Sequence, residues 1–577
     1  MTQARWLLPE DCERQAGALD REFSIGLPAA RVLARRGIRG LAEARRFLNP
    51  ALADLHEPSA LSGLDDAVAR LRRAIFGREK VLIYGDYDVD GITSVVVLKK
   101  CIEMAGGLAD FHVPHRLRDG YGMRPEVVEA AAQQGIRLIV SVDTGIRAAK
   151  VVESASALGI DVIITDHHLP DQDLPPALAV LNPNRRDCLY PEKNLCGVGV
   201  AFKLVQALLR SLAWPADKLS RVLESFLKLV AIGTVADVVP LTGENRIIVK
   251  HGLSGLGAVR NPGLRALLDV AGFSAGTTPT AGQVAFRIAP RVNAAGRMDT
   301  AMQAIELFLT ESPSRAREIA AELNALNEER QGAEAAIVQS VLDQCVSSPV
   351  TDSHAALVFA GEGWHRGVLG IVASRMVERH HRPAFVLSVD RELGLARGSG
   401  RSIAAFHLLG AMESMPDLFT QFGGHEHAAG LTMSADRVSE FRERFNSYAA
   451  ARLTPEDYVP TLQIDASVDF AEVDERTVGG ILKLGPFGSG NPAPVFAAYD
   501  VELAGPPVVW KAKHLRLALR QSGRTFFVKA WNQAGRCGEL SAGCRIDVAL
   551  AFEEDAWSAA RGYQNWAAQL RDFRVVG

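Results

Sequence analysis

Lys80-Val81-Leu82-Ile83-Tyr84-Gly85-Asp86-Tyr87-Asp88-Val89-Asp90-Gly91 is a short apolar run that ends in three alternating carboxylates and a glycine. Val81, Leu82 and Ile83 read as a buried strand and Ile92 to Leu98 as an apolar helix. The acids then stand at the C-terminal edge of a parallel sheet, where open α/β folds bind ligands. Three carboxylates this close raise one another's pKa unless a cation compensates, and a hard divalent metal is the natural compensator. Two plainer readings compete. An EF-hand loop also begins D-x-D-x-D-G, but it needs a glutamate at its twelfth position and a helix in front; here that position is Val97 and a strand precedes. The other is a merely solvated acidic turn.

Downstream, Leu138 to Val142 and Val162 to Ile164 read as further strands, separated by helices from Pro125 and near Arg147 to Leu158. This rhythm predicts a mostly parallel, doubly wound α/β sheet. Each strand ends in chemistry, Asp143-Thr144-Gly145 after one and Asp166-His167-His168 after the other, which argues against the solvated turn. An apolar helix or strand over residues 227–236 then runs into the isolated Asp237, and a buried Asp is rare unless paired or metal-bound.

The 577 residues exceed one hydrophobic core and suggest three or four units. Apolar content of 48% and charged content of 23% exclude a wholly disordered or fibrous chain. A net charge of −3 leaves phosphate binding to local clusters or bound metal. No apolar run is long enough to span a bilayer and the N-terminus lacks a signal-peptide core, so a cytoplasmic location and no membrane partner are expected. Seven cysteines without a C-x-x-C pair are expected as reduced thiols.

Residues 1–57 read as N-terminal helices and 58–308 as the acidic α/β lobe. Within the latter, residues 291–298 place Arg291 and Arg297 on a small-residue loop. Ser312-Pro313 starts a helical face through Ile319, Leu323, Ile337 and Val341, a strut over 309–350 with Gly332 as the point of a bend. Residues 351–455 form a second α/β lobe. Loops around Gly363 to Gly370, Gly398 to Ser402 and Gly423 to Gly430 there set glycines beside Ser399, Arg401 and His425, which lets amides and arginines approach phosphates closely; the plainer reading is ordinary glycine turns. Residues 456–577 carry short alternating strands that suggest a small barrel or sandwich, and Lys511, Lys513, Arg516, Arg520, Arg524 and Lys529 among aromatics suit a β-barrel of the OB-fold type that binds single strands, with a charged, solvated sheet face as the plainer reading. No P-loop or complete dinucleotide fingerprint is present. Mixed carboxylate and imidazole ligands favour Mn²⁺ or Mg²⁺ over calcium, and there are enough acids for two ions, which would clamp the attacking and leaving oxygens of a phosphoryl displacement.

These motifs, Asp86 to Gly91, Val142 to Gly145, Thr165 to His168, Asp237 and Gly423-Gly424-His425, resemble in order the motifs of the DHH phosphoesterase superfamily and its associated second domain. The chain is similar, over nearly its whole length, to the superfamily's bacterial single-stranded-DNA exonucleases of 5′→3′ polarity. The resemblance implies Asp88, Asp90, Asp143, His167, His168 and Asp237 as catalytic residues. It implies Asp86, Asp88, Asp90, Asp143, His167 and Asp237 as ligands of two divalent ions, Asp143 bridging. It implies Arg116, Arg291, Arg297, Ser399, Arg401 and His425 as contacts to DNA or phosphate. Superfamily members that hydrolyse pyrophosphate carry a histidine early in the first motif, and none stands near Tyr84 here, which leaves the first metal to Asp86 or water. The implied substrate is a single strand with a 5′ end; the implied setting is a monomer in recombination and repair, beside a single-stranded-DNA-binding protein and a DNA helicase. The rivals are a small-molecule phosphodiesterase or oligoribonuclease, which would not need residues 456–577, and a non-catalytic scaffold, which would be expected to lose acids that are all present here.

Overall fold

The computed structural model describes residues 4–8, 12–116, 118–298, 301–351, 353–555 and 564–576. The strand opened by Lys80 runs over Lys80–Gly85 and lies inside a five-stranded, wholly parallel sheet. The order is Leu108–His112, Lys80–Gly85, Leu138–Val142, Asp161–Thr165, Ala179–Leu181. Alternate side chains divide between two layers. Val81, Ile83, Val140 and Ile163 pack on helices Leu64–Phe76, Val89–Met104 and Gly197–Ser211, while Leu82, Tyr84, Ile139 and Ile164 pack on Pro125–Gln133 and Ala149–Ala157. The Val89–Met104 helix is buried nearly all round. Val95, Val96 and Val97 are poor helix formers, so its stability comes from that burial. The segment ending at Asp237 is a helix, Ala216–Ala236.

Ser312 caps a 35-residue helix, Pro313–Ser347, that continues through Gly332 and spans about 52 Å. Its Ile319 and Leu323 belong to the first core, its Ile337 and Val341 to that of the second lobe. The second lobe has a mixed five-stranded sheet ordered Phe419–Gly424, Ala428–Ser434, Leu395–Arg401, Ala384–Asp390, Leu357–Glu362. Two loops expected from sequence are regular elements instead. Residues 291–298 lie in the helix Ala289–Met298, where Val292, Ala294 and Ala295 are buried in the first lobe. Residues 398–401 finish the Leu395–Arg401 strand, whose glycines lie where Leu387 and Phe385 of the next strand leave no room for a Cβ.

Five C-terminal strands close into a barrel. Phe496–Leu503 pairs with both His514–Gln521 and Arg545–Glu554, and Arg524–Ala530 runs parallel to Trp566–Val575. This is the connectivity of an OB-fold. The N-terminus is part of the same body. A strand, Arg5–Leu7, absent from the sequence reading, pairs with Thr461–Gln463, and helices Glu13–Phe23, Leu27–Arg35 and Leu41–Leu48 share the barrel's core. Arg246 of the first lobe ties both in, donating to the Phe47 and Gly485 carbonyls while its guanidinium stacks on Phe47. All seven cysteines are free thiols, and among the described residues no helix is long and apolar enough to cross a membrane.

The docking of N-terminus on barrel turns on Gly480, where a Cβ would sit 1.6 Å from the Ile25 carbonyl oxygen. Gly480→Ala should cost about 1–3 kcal/mol and loosen residues 12–48; a lowered melting temperature with faster proteolysis in that segment is the expected result.

Candidate functional site

In the first sheet the chain leaves Lys80–Gly85 for one neighbour and returns on the other side as Leu138–Val142, so the strand order reverses between these two. A crevice opens at such a reversal, beyond the carboxyl ends of the strands. Asp86 and Asp143 follow those two strands, His167 and His168 follow the third, and Asp237 arrives at the end of its helix.

The residues expected as metal ligands are brought together. His167 Nε2 lies 3.2 Å from Asp143, 3.6 Å from Asp237 and 3.9 Å from Asp90. Three overlapping groups, Asp86/Asp88/Asp143, Asp90/His167/Asp237 and Asp143/His167/His168, each bring their ligand atoms within 4.8 Å of one another. Backbone geometry forces this crowding. Asp88 caps the Val89–Met104 helix, one oxygen accepting from the amides of Asp90 and Gly91. Asp90, 1% exposed, accepts from the Gly197 and Val198 amides at the start of another helix, which places its charge at a helix N-terminus. That helix approaches so closely that a Cβ on Gly197 would lie 2.6 Å from Asp143 Oδ1. Asp143 itself adopts a left-handed φ of 59°.

Burial, then neighbouring carboxylates, push Asp86 and Asp143 well above the usual carboxylate range, Asp90 to about 7 and Asp237 to about 9. Burial and the adjacent His168 lower His167 to about 4, keeping it neutral with a lone pair to offer. Asp86 Oδ1, Asp143 Oδ1, His167 Nε2 and Asp237 Oδ2 are buried without a hydrogen-bond partner. Four orphaned ligand atoms on one pocket, with more negative charge than it can hold alone, fit divalent cations.

Two supporting residues had no signal in the sequence reading. Asn182 and Asn184 donate to the carbonyls of His168 and His167 and so hold that loop from below. Asn-Pro-Asn reads locally as a turn, and its function depends on the short Ala179–Leu181 strand, which no local pattern announces. Asp166 is fully buried, accepts from the amides of Ile146, His167 and His168, and bonds His168 Nδ1 at 2.7 Å. Although burial opposes the charge on His168, this bond raises its pKa. Tyr121 OH lies 3.2 Å from the same nitrogen.

Facing the acids is a cluster of cations from both lobes. Arg116 lies over the Tyr87 ring at 4.9 Å, and Arg297 donates to the Gly367 carbonyl across the lobes. Burial, then Arg116, Arg330 and Arg401, lower Arg297 to about 10, and Arg401 is lowered by burial and by Arg116. Arg401 donates to Ser399 Oγ at 3.0 Å, and both meet Gly370 at the start of the Leu369–His380 helix. Mutually repelling guanidinium groups beside a helix N-terminus have the chemistry that suits an anion. Arg291 stands apart, bonded to Asn324 and to the Arg287 carbonyl. His425 is exposed and lines a cleft of about 950 Å³ together with Tyr121, Arg147, His167, His168 and Leu169.

Three family models match the chain: the DHH family N-terminal domain over residues 80–234, the DHHA1 domain over 352–451 and the RecJ OB domain over 464–569. The single-stranded-DNA-specific exonuclease RecJ of Dickeya dadantii is 40% identical over 498 residues, which cover 84% of this chain and 85% of that protein. Crystal structures of RecJ from Thermus thermophilus, in complex with Mn²⁺ and with Mg²⁺, match all of this chain and 80% and 79% of theirs, at 31% and 30% identity, with TM-scores of 0.84 and 0.78. The two α/β lobes and the barrel are thus matched along nearly the whole sequence, and the chain belongs to the RecJ family of single-stranded-DNA-specific exonucleases.

Proposed function

We propose that the chain is a single-stranded-DNA-specific exonuclease that hydrolyses phosphodiester bonds from a 5′ end, using two divalent ions, Mn²⁺ or Mg²⁺. The observation that carries this reading is the convergence of four partnerless ligand atoms, on Asp86, Asp143, His167 and Asp237, at the reversal of the first sheet. The named RecJ relatives and their Mn²⁺ and Mg²⁺ complexes support it. Asp86, Asp88, Asp90, Asp143, His167 and Asp237 would hold the ions; Asp143 and His167 each belong to two of the ligand groups, and Asp143, with two oxygens to offer, would be the shared ligand. Bound there, two ions would activate a water and neutralise the charge that develops on the phosphoryl oxygens.

The chain's own residues do the positioning. The Gly197 and Val198 amides fix both oxygens of Asp90, and the helix cap fixes one oxygen of Asp88, leaving its other oxygen to ligate. Asp166 sets the ring orientation of His168 at the edge of the ligand cluster. Arg116, Arg297, Ser399 and Arg401 would grip phosphate across the lobes, and His425 would close the cleft from the second. A terminal 5′ phosphate carries more charge than an internal diester, so this cluster would select that end and deliver the next diester to the acids.

The barrel supports a long strand over a small diester as substrate. Its second and third strands, the oligonucleotide-binding face of OB-folds, present an exposed Phe527 and the exposed Arg516, and beside them Trp510 and the exposed Trp531 pack around the buried His514 with ring centroids 4.7 to 5.6 Å apart. Of the basic residues there, Arg520 is engaged by Glu502, Arg524 by the Val473 carbonyl and Lys529 by Asp555. Base stacking and phosphate contacts from Arg516, Lys511 and Lys513 would then each add affinity. Family membership supports action in recombination and repair, beside a helicase and a single-stranded-DNA-binding protein that would expose and present the strand.

Asp143→Ala should abolish hydrolysis at saturating Mn²⁺ while leaving single-strand binding nearly intact; retention of more than about a hundredth of the rate, a loss under ~2.7 kcal/mol, would contradict the bridging role. Arg401→Ala should bring activity on 5′-phosphorylated strands down towards that on 5′-hydroxyl strands, a loss of about 1.5–3 kcal/mol; equal loss on both would place Arg401 on internal backbone. Phe527→Ala should weaken binding of long single strands by about 1–3 kcal/mol with little change in the rate on very short ones, as read by anisotropy and product release.

A further inference from the structure

The Leu395–Arg401 strand carries a basic ladder that the proposed phosphate grip uses only at one end. Ala396 and the glycines face the second lobe's core, so Arg397, Ser399 and Arg401 stand on the opposite face of the pleat. The Leu369–His380 helix covers Arg401 and Ser399. Beyond it the sheet face is open, floored by the exposed Gly430 and Gly423 that pair side by side. A cavity of about 400 Å³ follows this floor from Ser399 to Arg397 and Arg366, with Gln421 and Thr432 on its flank. Arg366 and Arg397 also line a second cavity, of about 760 Å³, that contains Trp364 and His365. The two cavities therefore share Arg366 and Arg397 as a common wall, and none of the crevice's acids lines either of them.

Arg366 is exposed and Arg397 half-buried, and among the described residues neither side chain makes an ion pair or hydrogen bond. Three acids border the second cavity, but Glu362 is engaged by Arg391 at 3.0 Å and Asp390 caps the Leu393 amide, which leaves Glu392 alone at the rim. Arg397 is two residues from Ser399, a step of about 6.6 Å along a strand and comparable to the step between neighbouring phosphates of an extended single strand.

We propose that Arg366 and Arg397 form a second phosphate subsite one nucleotide beyond Ser399 and Arg401, with the Trp364 cavity taking the base. It rests on the reading of Ser399 and Arg401 as the 5′-phosphate grip. A 5′-phosphorylated strand then seats in two registers. In the deeper one its terminal phosphate lies on Arg366 and Arg397, its first diester lies on Ser399 and Arg401, and its second diester lies at the acids. Water adds to that phosphorus and the bond to the leaving 3′ oxygen breaks. A dinucleotide departs with a 3′ hydroxyl, and the remaining strand keeps a new 5′ phosphate.

The test uses the full chain with Mn²⁺ and a 5′-phosphorylated oligodeoxynucleotide whose first bridging 3′ oxygen is replaced by methylene, uncleavable at that bond and unchanged in charge. The wild type should release the blocked dinucleotide. The double variant Arg366→Ala/Arg397→Ala should lose that release by roughly tenfold, as expected for charge-assisted contacts, with its rate on the unmodified strand and its melting temperature unchanged. Equal behaviour of wild type and variant on the blocked strand, or no release by the wild type, overturns the subsite. Unmodified 5′-phosphate and 5′-hydroxyl strands with Arg401→Ala in the same series separate the causes. If Arg401→Ala erases a phosphate preference while the blocked strand stays inert, only the second subsite falls. If there is no preference to erase, the grip and the subsite built on it fall together.

Discussion

The structure depends on the mutual repulsion of carboxylates held in a buried crevice. Two such charges 4 Å apart repel by about 4 kcal/mol at an effective dielectric of 20, and Asp86, Asp88, Asp90, Asp143 and Asp237 are kept within reach of one another. Rigid backbone resists their separation. Asp90 is pinned by two amides of the Gly197–Ser211 helix, and Asp88 is occupied with capping its own. Asp143 and Val238 both adopt left-handed φ values, 59° and 61°. For Val238, β-branched and directly after Asp237, that conformation costs on the order of 1–3 kcal/mol. The apolar interior of the first lobe, above all the fully enclosed Val89–Met104 helix, supplies the stability that tolerates this strain.

What was legible in the sequence follows from locality. Three of the acidic motifs directly end apolar strands, so strand, sheet edge and ligand candidates could be read from short stretches, and the structure brings Asp86, Asp88, Asp90, Asp143 and His167 together with Asp237, which ends a helix. The barrel was legible from alternation. Residues 291–298 and 398–402 read as loops because small residues and glycines look irregular when their neighbours are unknown. In the fold they are a helix and a strand whose small side chains admit close approach of other backbone, as where Gly296 meets the Tyr87 carbonyl. Contacts between distant parts of the chain left no local trace. The pairing of Arg5–Leu7 with Thr461–Gln463, the bracing of His167 and His168 by Asn184 and Asn182, and the turning of Arg291 towards Asn324 all belong to this class.

Beside the Arg297–Gly367 contact, one element runs through both lobes and registers them. The Pro313–Ser347 helix is apolar towards the first core at its start and towards the second at its end. Between them, where neither core reaches, it buries a polar knot in which Arg330 bonds Asn327 and Glu334, and Glu334 also holds Arg375 from the second lobe. Charged groups buried as a satisfied set fix geometry more than they add stability, because any shift would strand one of them without a partner. The separation between the acids of one lobe and Ser399 and Arg401 of the other is therefore set by a helix and its central knot rather than by flexible loops.

Direction follows from that asymmetry in the proposed function. All the proposed metal ligands come from the first lobe, while Ser399, Arg401 and the further ladder to Arg397 come from the second, and Arg116 and Arg297 stand between them. A strand gripped by its terminal phosphate on the second lobe meets the acids only at a distance counted from that end. A strand entering with the opposite polarity brings a 3′ hydroxyl to the cationic cluster, where uncompensated guanidinium groups would remain buried without an anion. Polarity would then be an electrostatic consequence of where the cations are: the end that carries the extra charge satisfies them, and the other end leaves their desolvation without an offsetting contact.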